Sequence, residues 1–151
     1  MKNTPTILNP LFTILSRAAA HLTYLRLYTI SDEDKMMYSL YHLRNAAALL
    51  SPLKYLKYVQ LSVEVFPSPV VPNILGVSYS NFKTEVSTQP EDMVRTWAEE
   101  IVSLEYLELN ITYQEWSHSW WRIQSVDRTY RRVSEEEGLS AKNWFDLEDW
   151  K

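Results

Sequence analysis

Cysteine is absent from the 151-residue chain, and glycine occurs only at Gly76 and Gly138. Without cysteine there are no disulfides, no thiolate nucleophile and no Cys-based zinc site. Two isolated glycines exclude the Gly-rich phosphate loop and the dinucleotide fingerprint, which need several at fixed spacing. No run of about 18 apolar residues exists, so no transmembrane span and no membrane partner are expected. The three histidines, His21, His42 and His118, fall in no ligand motif, and neither a metal nor another cofactor is expected. A net charge of -4 gives no overall basic footprint for nucleic acid. Met1-Lys2, the apolar stretch 7–15 and Ala18-Ala19-Ala20 loosely imitate a signal peptide, but Asn9-Pro10 interrupts the run and Arg17 sits at the would-be cleavage site. The expected compartment is therefore cytoplasmic or nuclear. The sequon Asn110-Ile111-Thr112 is expected to go unused.

What the chain has in quantity is aromatic residues, 10 Tyr and 6 Trp, and leucines at repeated spacing. The frame apolar-x-x-Leu-x-x-apolar-x-Leu occurs at Ala19-Leu22-Leu25-Leu27, at Leu53-Leu56-Val59-Leu61 and at Ile101-Leu104-Leu107-Leu109. Three copies point to a repeat architecture. In each copy the first Leu turns inward from a loop, and the last two apolar positions share one face of a short strand. The anchors Leu22, Leu56 and Leu104 stand 34 and 48 positions apart, longer than the roughly 20–29 of ordinary leucine-rich repeats, which leaves room for a helix per repeat.

The segments between the frames support that alternation. Pro10 opens a helix over 11–20. Ser31 or Asp32 caps a second, with Met37, Leu40, Tyr41, Leu43, Ala47 and Leu50 inward, and Pro52 beyond its end. Pro90 opens a third, with Met93, Val94, Trp97, Ala98 and Ile101 inward. Residues 66–89, with Pro67, Pro69, Pro72 and Gly76, break the pattern, with a short strand available at 74–79. Trp120–Ile123 and Thr129–Val133 alternate as a closing hairpin. The domain division is an N-terminal lead-in over 1–10, a repeat domain over 11–133 and an acidic C-terminal tail over 134–151, frayed or capping, with Trp144, Phe145 and Trp150 as anchors.

Within that frame the outward strand positions are Tyr24, Tyr58 and Tyr106, then Arg26, Gln60 and Glu108, then Tyr28, Ser62 and Asn110. Neighbouring strands stack them in columns about 4.8 Å apart. Trp120 on a fourth strand extends the tyrosine row and sets Arg122 beside Glu108. Aromatics and Arg lining a concave repeat surface concentrate binding energy, so Tyr24, Arg26, Tyr28, Tyr58, Gln60, Tyr106, Glu108, Trp120 and Arg122 form the expected partner-binding set. On this reading Tyr58→Ala weakens binding and leaves folding nearly intact. The competing reading is that tyrosines simply suit strands and pair across them. The alternative function is a small enzyme or ligand-binding domain using the Trp-rich loop, with His118 and Glu115 as its one acid–base pair. The locally basic hairpin, Arg122, Arg128, Arg131 and Arg132, finds a simpler partner in Glu135–Glu137 than in nucleic acid.

The segment Ser103-Leu104-Glu105-Tyr106-Leu107-Glu108-Leu109, followed by Trp120-Trp121-Arg122-Ile123 and an acidic end, resembles the C-terminal leucine-rich-repeat region of fungal F-box-like proteins. The resemblance covers most of residues 11–138. It implies substrate recognition for a ubiquitin ligase by a non-catalytic protein-binding module. Residues 1–20 are too short for an F-box, so contact with the ligase adaptor is not expected from this chain. The fold class that follows is α/β: a short, irregular leucine-rich-repeat solenoid of helix–strand units with a mostly parallel sheet and a C-terminal β-hairpin cap.

Overall fold

The computed structural model describes residues 21–66, 89–113 and 116–149, with side chains to residue 145 in the last helix. The expected helix over 11–20, the strand over 74–79, Glu115 and Trp150 lie outside the described residues. The elements are β1 (Tyr24–Asp32), a 3-10 turn (Glu33–Lys35), α1 (Met36–Leu49), β2 (Tyr58–Phe66), α2 (Pro90–Glu100), β3 (Tyr106–Ile111), β4 (Ser119–Ile123), β5 (Tyr130–Val133) and α3 (Glu135–Asp149). Asp32 begins the helical segment: its carboxylate accepts the Lys35 N–H at 2.9 Å and caps the 3-10 turn that leads into α1. Pro90 stands in the first turn of α2, where its missing N–H costs nothing.

The strands form one sheet in the order β1-β2-β3-β4-β5. The β1–β2 and β2–β3 ladders are parallel, and the β3–β4 and β4–β5 ladders are antiparallel. The three leucine frames do lie side by side, with Leu27, Leu61 and Leu109 in one column. The loops before the strands continue the ladder: the Tyr58 N–H reaches Thr23 O at 3.0 Å, and the Tyr106 N–H reaches Lys57 O at 3.0 Å. The Ser103 hydroxyl also donates to Leu56 O at 2.7 Å.

The expected solenoid with a mostly parallel sheet is nevertheless wrong. The fold is an α/β mixed sheet with a helix layer on each face. A solenoid adds each unit in the same direction and leaves its strand face open. Here the chain reverses twice after β3, and α3 then crosses the face a solenoid would leave bare. The reversal also corrects the fourth column. Because β4 runs antiparallel, Arg122 stands beside Tyr106 and Trp120 beside Glu108, the opposite of the expected placement.

One face carries the main apolar core. Leu61, Leu107, Leu109, Trp121 and Ile123 pack there against Met36, Leu40 and Ala47 of α1 and against Met93, Val94 and Trp97 of α2. Leu56 and Leu104, the loop anchors of the second and third frames, are fully buried. β2 is buried continuously from Tyr58 to Val63, as a central strand covered on both sides must be. Arg128, the one described non-glycine residue with positive φ, reaches back from the β4–β5 turn. Its Nε donates to Ala98 O at 3.0 Å and its Nη2 to Ile101 O at 2.7 Å, satisfying carbonyls at the end of α2.

The segment read as an acidic tail forms α3, which lies across the other face. Ser134 caps it, accepting the Glu137 N–H at 3.1 Å, and Glu135, Glu136 and Glu137 occupy the first turn, where the helix dipole favours acids. Gly138 permits the close approach: a Cβ there would run into the indole of Trp120. Replacing a helical glycine by alanine ordinarily stabilises by about 0.5–1 kcal/mol. At this position the sign should reverse, with Gly138→Ala destabilising by about 1–3 kcal/mol through overpacking. Urea unfolding measures the change, and hydrogen exchange should show the loss of protection concentrated in α3.

Candidate functional site

Strand alternation places Tyr24, Arg26 and Tyr28, Tyr58, Gln60 and Ser62, and Tyr106, Glu108 and Asn110 on the face opposite the leucines, in three aligned rows. The tyrosine row exists. Tyr24 stacks on Tyr58 with ring centroids 5.4 Å apart, and Tyr58 stacks on Tyr106 at 6.2 Å. It is a row beneath a helix, not an open groove. Phe145 of α3 lies 6.4 Å from both the Tyr58 and Tyr106 rings. Tyr58, Gln60, Glu108 and Trp120, four of the nine expected partner-binding residues, are buried.

Glu108 is the chemical centre of the covered half. Only 1% of it is exposed. Its Oε1 accepts the Tyr58 hydroxyl at 2.6 Å and lies 3.6 Å from Lys142 Nζ of α3. Its Oε2 lies 2.7 Å from His118 Nε2. Burial and the bond to Glu108 both push the Tyr58 phenol far above its ordinary pKa, so it stays a donor. His118 also stacks on Trp120, with ring centroids 4.1 Å apart. Its carboxylate partner among the described residues is Glu108, ten positions earlier on β3. Among the described residues no hydroxyl hydrogen-bonds the His118 ring, and none gathers with it into a metal-binding group of three His, Asp or Glu. The contacts around His118 hold the β3–β4 connection against Glu108 of β3 and Trp120 of β4.

The edge of this region is ionic. Glu137 accepts the Tyr106 hydroxyl at 3.3 Å and lies 3.9 Å from the guanidinium nitrogens of both Arg122 and Arg131. Arg122 also sits 5.9 Å from the Tyr106 ring centroid. Of the four hairpin arginines, Arg122 and Arg131 thus meet a glutamate of the 135–137 run, whereas Arg128 donates to the Ala98 and Ile101 carbonyls and Arg132 to the Ser117 hydroxyl.

Beyond α3 the same face stays open at the carboxyl ends of the parallel strands. Tyr28, Ser62, Glu64, Asn110 and Thr112 line a cavity of about 480 Å³ there. Tyr28 is 50% exposed, and Ile30 and Phe66 on the same face are 57% and 45% exposed. The Tyr28 hydroxyl donates to Glu64 Oε2, and that bond raises the phenol pKa. Arg26, exposed, holds its guanidinium 5.9 Å from the Tyr28 ring centroid. Of the expected set, Arg26 and Tyr28 reach this region. Glu64, Thr112, Ile30 and Phe66 were missed. Continuing the outward alternation one more step along each strand, from Tyr28, Ser62 and Asn110, reaches Ile30, Glu64 and Thr112.

No protein-family model matches the chain, and no curated protein or solved structure is detectably similar to it. No described helix is long and apolar enough to cross a membrane.

The burial of Tyr58 corrects the expectation that its truncation spares the fold. Tyr58→Ala should cost about 3–5 kcal/mol of stability through the cavity left beneath α3. Tyr58→Phe, which keeps the ring and removes one donor from a buried carboxylate, should cost about 1–3 kcal/mol. Urea denaturation of the two variants against the unmodified chain reads both. A melt unchanged by Tyr58→Ala would mean that α3 does not cover the row.

Proposed function

We infer that the chain is a non-catalytic protein-recognition domain, and that the partner docks at the carboxyl ends of β1, β2 and β3. The carrying observation is the contrast along one strand face. Its first two rows are occupied by the chain's own α3, while the Tyr28–Ser62–Asn110 row ends in an open cavity flanked by exposed Tyr28, Ile30 and Phe66. In open α/β sheets the carboxyl ends of parallel strands are where ligands collect. Large exposed apolar groups beside polar, hydrogen-bonding ones are the composition of an interface core and rim. The acid–base reading around His118 is less well supported, because its imidazole braces a buried carboxylate and does not line the cavity.

Partner choice in this reading comes from the strand ends rather than from a repeat surface. The resemblance of the strand segments to the recognition regions of F-box proteins adds a class of partner: a protein presented for ubiquitin transfer. A chain without cysteine suits a reducing compartment, the cytoplasm or nucleus.

A photo-crosslinking amino acid at Tyr28, compared with one at the fully exposed hairpin-tip Val126, tests the reading in cells of the source organism. Discrete protein adducts are expected from position 28 and not from position 126. Equal labelling at both positions, or none at 28, would remove this surface from consideration.

A further inference from the structure

We propose that the cavity at the strand ends receives an arginine side chain from an extended segment of the partner. This rests on the recognition reading above and names the chemistry of its central contact. Besides Val63 and Val65, the described residues that line the cavity are Tyr28, Ser62, Glu64, Asn110 and Thr112, and the one carboxylate among them is that of Glu64. The other polar groups offer a phenol, two hydroxyls and an amide, all able to accept a hydrogen bond. A cavity holding one carboxylate and several acceptors is complementary to a cation carrying several N–H donors.

Two further observations narrow the cation. The Tyr28 ring already faces one guanidinium within the chain, that of Arg26 at 5.9 Å, so it presents an aromatic surface of the kind planar cations use. Glu64 Oε2 accepts the Tyr28 hydroxyl, which holds the carboxylate beside the ring and leaves its other oxygen for an incoming donor. A guanidinium meets both demands, with its face to the ring and its edge to the carboxylate, whereas an ammonium meets only the second. The cavity is a cleft open to solvent, and its volume of about 480 Å³ leaves room for a guanidinium.

The test uses the full chain and immobilised random nonapeptide pools with the central residue fixed as Arg, Lys, citrulline or Glu. The Arg pool should retain the protein about tenfold more strongly than the citrulline pool, which has the same shape without the charge. It should also exceed the Lys pool. Glu64→Gln should erase the Arg-over-citrulline preference, and Tyr28→Leu should reduce Arg to the level of Lys. Both positions are surface-exposed, and circular dichroism confirms that the variants fold. Equal retention on Arg and citrulline pools overturns the proposal, as does an Arg preference that survives Glu64→Gln. Adducts at position 28 without an Arg preference would sink the arginine contact and leave the recognition reading standing. Absence of adducts at position 28 would sink the recognition reading and the arginine contact with it.

Discussion

A carboxylate with 1% of its surface in water cannot be left without partners, and Glu108 obtains them from three separate parts of the chain. Tyr58 comes from the neighbouring strand, His118 from the connection into β4, and Lys142 from α3. Each contact demands that its element be in one place. A register slip of one residue between β2 and β3 would turn Glu108 towards Leu61 and Trp97, where nothing compensates a charge. Removing α3 would take away the ammonium and open the carboxylate to water. The apolar core on the opposite face supplies most of the burial, but a leucine-rich core tolerates many arrangements of similar volume. The buried charge is less permissive, and it ties the parallel half of the sheet, the antiparallel half and the C-terminal helix into one arrangement.

The parallel half was legible because its signal repeats. Leu-x-x-apolar-x-Leu at three places defines both the strand period and the loop anchor, and residues held by the same frame must align when their strands do. Tyr24, Tyr58 and Tyr106 are in register for that reason. The direction of β4 was not legible, since a strand of alternating residues reads the same when reversed. Trp121 and Ile123 face the core in either direction, and only the pairing of Arg122 and Trp120 changes. The error lay in continuing a repeat past its last copy.

The C-terminal helix was legible and was obscured by its charge. Ser134-Glu135-Glu136-Glu137 is the Ser-x-x-Glu pattern of a helix start, and the Ser134 hydroxyl does accept the Glu137 N–H. Counted as net charge, the same glutamates suggest a solvated tail. Counted by position, they sit at the dipole end that favours them, and Glu137 meets Tyr106, Arg122 and Arg131. Gly138 carried a further clue. A lone glycine inside a helical stretch lowers helix propensity and, where retained, often marks a close packing contact, here with Trp120.

The aromatic richness of the chain then divides by location rather than by residue type. Tyr58 and Tyr28 lie on the same face, one strand apart and two rows apart, yet one is sealed and the other half exposed. Tyr58 donates to a carboxylate that already has charged neighbours, so its hydroxyl completes an internal network. Tyr28 donates to Glu64, an exposed carboxylate with no cation of its own among the hydrogen bonds and ion pairs of the described residues. The face thus changes character where α3 ends its coverage. Under the helix, carboxylates are matched by Lys142, Arg122 and Arg131. Past it, Glu64 stands at the cavity with the Tyr28 hydroxyl as its hydrogen-bond partner among the described residues, and the Arg26 guanidinium lies 5.9 Å from the same ring. A fold that compensates Glu108 from three directions leaves Glu64 at the cavity with a phenol as its hydrogen-bond partner, and the proposed recognition site rests on that contrast.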